Sequence, residues 1–252
     1  MTAQRTTQPA IHIDALGKRF GADGPLVLDD VTLTIEPGEF VCLLGASGCG
    51  KSTLLNIIAG LERPTTGSVT VASGNAAVMF QDAALFPWLT AGRNVELALK
   101  LRGVPRDKRR GKALELLDIV NLADAASKRP HELSGGMRQR VALARSLAQD
   151  RKVLLMDEPF AALDAITRDL LHEELERVWR ETGRTIVFVT HNVREAARLG
   201  QRVLLMSSRP GRIANEWRLA DNGPRRIESP EVSRLSIEIT EQLRREIRRN
   251  AA

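Results

Sequence analysis

The chain has 252 residues, enough for one sizeable core or a core carrying an inserted subdomain. Its 43% hydrophobic content fits a globular protein, and no apolar run approaches the length of a membrane-spanning helix. The net charge is +6, yet the basic residues are dispersed, tyrosine is absent and other aromatics are few, so no nucleic-acid partner is expected. The opening MTAQRTTQPA lacks the apolar stretch of a secretory signal, which points to the cytosol. Cys42 and Cys49 make no disulfide framework and are expected as free thiols. The basic clusters at Arg106–Arg110, Arg225–Arg226 and Arg244–Asn250 read as solvated helix faces with occasional lipid-headgroup contact.

Residues 1–10 are polar and read as a disordered arm. IHIDAL alternates as a half-buried strand does, and VTLTIEPGEFVCLLG reads as two strands around a Pro37-Gly38 turn. KSTLLNIIAGL has helical spacing from Lys51 to near Gly60, and SVTV and AAVMF follow as strands. From about Asp82 to Asp150 strand signals disappear. NVELALKL, KRRGKALELLDIV and a segment from Gly135 through RQRVALARSLA read as successive helices. VLLMD and TIVFVT return to strand, separated by the helical pattern of TRDLLHEELERVWRET, and VLLMS and RIANEW follow. From Pro230 the chain reads as a charged amphipathic helix. Strands alternating with helices imply an α/β architecture with a largely parallel central sheet.

GASGCGKS, from Gly45 to Ser52, fits G-x-x-x-x-G-K-[ST] between an apolar strand and a helix. Glycines at Gly45, Gly48 and Gly50 let backbone N–H groups, including those of Ala46, Ser47 and Cys49, close around phosphate oxygens without side-chain clash. The helix adds its positive end. Lys51 is placed for the β- and γ-phosphates, Ser52 for Mg²⁺ and Thr53 for the α-phosphate side. Apolar Val153–Met156 then delivers Asp157 to a strand end beside this loop, where it can hold Mg²⁺ through water. Glu158 is one residue on and is placed to orient or deprotonate an attacking water. Ser134, Gly135 and Gly136 open a second helix with unshielded N–H groups, a second anion-binding terminus in one chain. One triphosphate needs only one such cradle, so two half-sites, and two chains, are implied.

With LSGGM at Leu133–Met137 the chain resembles the ATP-binding cassette (ABC) family, specifically the ATPase subunit of an ABC importer, from Ile11 to about Ile213. The resemblance implies a P-loop NTPase core of ABC type with an inserted α-helical subdomain and an antiparallel β edge. The core would span 11–82 and 151–222, the helical subdomain 83–150, and a basic helical extension 223–252. It implies ATP and Mg²⁺ as cofactors, with Gln81 sensing the metal, His191 touching the γ-phosphate and catalytic carboxylate, and Phe20 stacking on adenine. Leu133, Ser134, Gly135, Gly136 and Met137 would close over the partner copy's ATP, and Asp164 would link the sites at the dimer seam. Met137 stands where the most familiar form has glutamine.

A permease in the membrane would receive the work, docking in a groove lined by DAALFPWLTAGRNV, where Phe86, Pro87 and Trp88 offer a rigid apolar anchor. The protein would then be peripheral on the cytoplasmic face, with an extracytoplasmic binding protein as an indirect partner. LFPWLT, FAALDAITRD and SSRPGRI look like importers for nitrate, sulfonates and taurine, implying a small oxyanion cargo, an aliphatic sulfonate such as taurine in first place. The alternatives are a soluble ABC ATPase acting on DNA or ribosomes, and the ATPase of an exporter. A P-loop kinase would have no use for LSGGM and ALD.

Overall fold

The computed structural model describes residues 8–21, 23–72, 74–219 and 223–249. Of the expected disordered arm, residues 1–7 lie outside the described residues, while Ala10 is buried where the first strand begins. Strand β1 (Ile11–Arg19) pairs antiparallel with β2 (Leu26–Ile35) and β4 (Thr66–Val71) in a three-stranded sheet. Ile11 and Ile13 are buried while His12 and Asp14 face water, the alternation of a strand with one covered face.

The second sheet has six strands in the order β5-β6-β7-β3-β8-β9. They are β5 (Ala77–Met79), β6 (Val153–Asp157), β7 (Thr185–Val189), β3 (Phe40–Leu44), β8 (Arg202–Met206) and β9 (Ile213–Arg218). All neighbours are parallel except β8 and β9. Strands β3, β7 and β8 are buried at every position, which is why they read as continuous apolar runs. The expected α/β core, helical insertion and antiparallel edge are therefore present. Between β5 and β6 the chain inserts α2 (Ala91–Leu101), α3 (Arg106–Ile119) and α4 (Gly135–Ala148).

Two apolar clusters flank the large sheet. One unites Phe40, Phe188 and Met156 with the inserted helices and with α5 (Ala165–Thr182). The other unites Val41, Leu43 and Val189 with the small sheet and α1 (Lys51–Ile58). Trp179 of α5 packs edge-on against Phe40, ring centroids 5.5 Å apart, and its indole donates to Gly38 O at 2.9 Å. That bond satisfies the one polar group a buried tryptophan carries. The Pro37-Gly38 turn is thereby tied to the far end of α5.

Two features depart from the sequence expectation, the start of β2 and a short helix after His191; the tail helix from Pro230 is as expected. Strand β2 starts at Leu26, five residues before the VTLTI run, because Asp29 N donates to Gly211 O and Asp29 pairs with Arg212. Asp30 takes φ 50° within it, a local irregularity of the strand. A short helix, α6 (Val193–Leu199), follows His191, with Asn192 as its cap. The tail forms α7 (Pro230–Arg249), which packs on α6 and buries Val232 and Ile239; Ile239 joins the main core.

Candidate nucleotide site

Strand β3 feeds Gly45–Gly50, and α1 begins at Lys51. Gly50 occupies the cap position with φ 103°, a conformation only glycine adopts comfortably, and no side chain bonds the first-turn amides. Those N–H groups stay available to an anion. A side chain at Gly50 would also meet Leu28 Cδ2 at 2.7 Å, so packing and dihedral select glycine together. Lys51 is buried. Its ammonium donates to Gly45 O at 2.8 Å and Ala46 O at 3.0 Å. Cys49 and Cys42 are buried free thiols, as expected, and burial pushes both above their ordinary pKa.

A groove of about 530 Å³ opens beside the loop. Phe20, Ser47, Gly48, Gly50, Lys51, Ser52, Thr53, Gln81, Asp157 and Glu158 line it, with Val27 and Arg209. Residues scattered over more than a hundred positions thus converge because β3 and β6 both end here. Asp157 closes β6. Burial pushes its carboxyl up, opposed by a hydrogen bond with Ser52; the neighbouring Glu158 adds to the rise and Lys51 works against it. Glu158 takes φ 44°, strained for a non-glycine, and its N–H donates to Val189 O at 3.0 Å. This turn separates the directions of two consecutive carboxylates. His191 Nδ1 lies 2.9 Å from Glu158 Oε2. Phe20 is 50% exposed at the rim, with Lys18 Nζ 4.7 Å from its ring centroid. An aromatic this exposed is not a core residue.

The signature segment lies elsewhere. Ser134 caps α4, its hydroxyl accepting from Met137 N at 3.2 Å. Leu133 is buried, Met137 packs partly against the core, and Gly135 lines a second cavity with Gln81, Gln139 and Leu163. A Cβ on Gly136 would stand 2.4 Å from Thr167 Cγ2, so that glycine answers to α5 as well as to any anion. Asp164 caps α5 by accepting from Thr167 N at 2.9 Å, and that backbone bond lowers its pKa. None of Leu133–Met137 or Asp164 lines the phosphate groove of its own chain. Gln81 touches both cavities, and Gln139 Nε2 holds its carbonyl at 2.8 Å.

Sequence reasoning missed the support beneath His191. Thr190 donates its hydroxyl to Glu195 and accepts from Asn192 N at 2.9 Å. Glu195 in turn lies 3.4 Å from Nε2 of His172, a fully buried residue of α5. Burial pushes Glu195 up, but the contacts from His172 and Thr190, with the nearby Arg168, outweigh it and leave the carboxyl below its ordinary 4.5. A depressed carboxylate contributes stability that is present above the unfolded pKa and is lost as pH falls through the folded value. Glu195→Gln should therefore flatten the acid limb of a melting-temperature profile taken from pH 7 to 3. An unchanged limb would contradict the role given to this carboxylate. No motif marks Glu195, which reaches Thr190 only through the turn into α6.

The ABC transporter family profile matches residues 28–161. The nitrate import ATP-binding protein of Synechocystis is 48% identical over 87% of this chain and 85% of its own length. The taurine import ATP-binding protein of Roseobacter denitrificans is 44% identical over 83% of this chain and 82% of its own. A dimeric ATP-binding cassette solved after hydrolysis with ADP and Pi superposes with a TM-score of 0.73 at 35% identity, covering 83% of this chain and 99% of that one. CbiO1 of Clostridium perfringens, part of a transporter complex, gives 0.77 at 25% identity over 84% and 89%. The chain belongs to the ABC transporter ATPase family. It is an ATP-binding cassette that couples hydrolysis of ATP to transport.

Proposed function

We propose that this chain is the ATPase subunit of an importer for a small oxyanion, acting as a pair of copies around two ATP molecules. The observation that carries the reading is the Glu158–His191 pair at 2.9 Å, whose Glu158 lines the groove together with Lys51 and Ser52, with His191 outside that lining. The core would comprise 11–82 and 151–222, the helical subdomain 83–150, and the basic extension 223–252.

In this reading the N–H groups of Ala46–Ser52 and the Thr53 side chain receive the phosphates. Lys51 exchanges its two carbonyl acceptors for the β- and γ-phosphates, and Phe20 stacks on adenine. Glu158 orients the water and takes its proton, while His191 holds Glu158 and reaches the γ-phosphate. Ser52, Asp157 and Gln81 present oxygen donors of the kind Mg²⁺ prefers, and all three line the same groove. Mg²⁺ would neutralise charge on the transferring phosphoryl group. Leu133, Ser134, Gly135, Gly136 and Met137 serve the other copy's γ-phosphate, which agrees with their lying outside the chain's own groove. Asp164 stands at the seam between copies.

No helix among the described residues is long and apolar enough to cross a membrane. The force of closure therefore passes to permease subunits, with the ATPase peripheral on the cytoplasmic face and an extracytoplasmic binding protein presenting cargo. Val78, Phe80, Ala84, Phe86, Leu97 and Leu101 line the apolar part of a groove of about 400 Å³ that Arg102, Arg145, Gln149 and Arg151 also border. The buried Asn94 side chain holds its lip, accepting from Phe86 N at 2.9 Å and donating to Thr90 O at 3.0 Å. Trp88 stands beside the groove instead of lining it, 67% exposed and 5.4 Å from the Phe86 ring. A tryptophan so exposed contributes little to packing its own subdomain, which favours the anchor role. Leu85 packs against the core.

Affinity capture with the Glu158→Gln chain and ATP in mild detergent should recover a multi-span permease. Trp88→Ala should weaken that recovery about tenfold or more, as loss of an interface hot spot does. Recovery of ribosomal proteins or DNA-bound complexes would favour the soluble alternative, and undiminished capture by Trp88→Ala would end its anchor role. The similarity to taurine and nitrate import proteins supports a sulfonate or nitrate cargo, to be read by uptake through the recovered permease.

A further inference from the structure

The SSRPGRI segment marked only a lineage in the sequence. In the fold it is the turn from β8 to β9, and it braces the phosphate loop. Gly211 N donates to Val27 O at 2.8 Å, Asp29 N donates to Gly211 O at 3.1 Å, and Ser207 O–H donates to Pro210 O at 2.9 Å. A side chain at Gly211 would meet Cys49 O at 2.2 Å, so the turn lies directly on the loop.

The two arginines of this turn have different surroundings. Arg212 is neutralised by Asp29. Arg209 is exposed, lies beside the phosphate groove and has no carboxylate partner among the described residues. Among the described residues its one hydrogen bond runs from Nε to Gly48 O at 3.0 Å, and its Nη2 would lie 3.2 Å from a Cβ on Gly48. The guanidinium is thus laid along Gly48 with most of its five donors uncommitted. An arginine needs no carboxylate where a phosphate supplies the charge, and its planar fork matches phosphate oxygens.

We propose that Arg209 is a second cationic ligand for the phosphates of bound nucleotide, working from outside the glycine loop while Lys51 works from within. The assignment rests on the nucleotide-site reading above. The hydrogen bond to Gly48 O sets the guanidinium's position, and the remaining N–H groups receive phosphate oxygens.

The test is titration of wild type, Arg209→Gln and Arg209→Lys with a fluorescent ATP analogue, followed by displacement with inorganic tripolyphosphate. Arg209→Gln is expected to raise both dissociation constants about tenfold, the size of one solvent-exposed charged hydrogen bond. Arg209→Lys should bind more weakly than wild type but better than Arg209→Gln, because it keeps the charge and loses the planar fork. Wild-type affinity should also fall more steeply with added salt than that of Arg209→Gln. Equal affinity of wild type and Arg209→Gln overturns the proposal and leaves the nucleotide site standing. So does a lysine variant that melts normally but binds as poorly as glutamine. Failure of the wild type to bind the analogue would instead strike the nucleotide-site reading. If Arg209→Gln does not fold, the lysine variant and the wild-type salt slope decide: a flat slope with lysine binding equal to wild type overturns the proposal.

Discussion

Glu158→Gln is expected to keep ATP binding and to lose turnover by about 10²–10⁴-fold. The amide preserves the shape of the side chain and can still meet His191 Nδ1, 2.9 Å away in the native pair. It cannot accept a proton from water. Lys51 and the loop amides, which hold the phosphates in this reading, are untouched. Phosphate release at saturating ATP and analogue binding together separate the two functions. Steady-state hydrolysis near the wild-type rate would remove Glu158 from the catalytic role and leave His191 or a water network to account for the reaction.

Arg202→Ala is expected to destabilise the fold by about 3 kcal/mol, the usual consequence of leaving a buried ion pair half broken. Arg202 is 6% exposed at the start of β8. Its Nη1 donates to Thr34 O on β2 at 2.7 Å and lies 3.5 Å from Glu39. Its Nη2 donates to Glu216 on β9 at 2.7 Å. One guanidinium therefore ties the three-stranded sheet to the six-stranded one. Removing it strands the largely buried Glu39 and an acceptor on β2. Urea unfolding measures the loss, and a change below about 1 kcal/mol would mean that water replaces the guanidinium easily. The nucleotide groove lies at the opposite end of β8, so binding should persist in the folded fraction.

The phosphate loop was legible because its spacing states its chemistry in adjacent residues, and Asp157 and Glu158 because an apolar run announces a buried strand. The Glu158–His191 pairing was expected from the family resemblance, and the two strands that end side by side bring it about. Other contacts depend on which side chains meet after folding. Glu195 and His172 come from separate helices, Asn94 reaches back from the first turn of its helix to hold the loop before it, and Phe80 and Leu101 complete a groove from either side of that loop. None carries a local signature. The start of β2 was hidden for a related reason: Asp29 finds its partners only at the distant Gly211 and Arg212. Arg209 was visible as a residue but silent as a function, since an arginine in a turn is ordinarily solvated.

The notch at Gly136 limits how this protein can be recombined with its relatives. The Thr167 methyl group occupies the space a Cβ at position 136 would need, 2.4 Å from it, and the same threonine's amide is capped by Asp164. The helix that begins at Gly135 and the helix capped by Asp164 are therefore a lock and key within one chain. A chimaera that imports one helix without the other fits only if glycine stays at 136 or the residue at 167 loses its methyl.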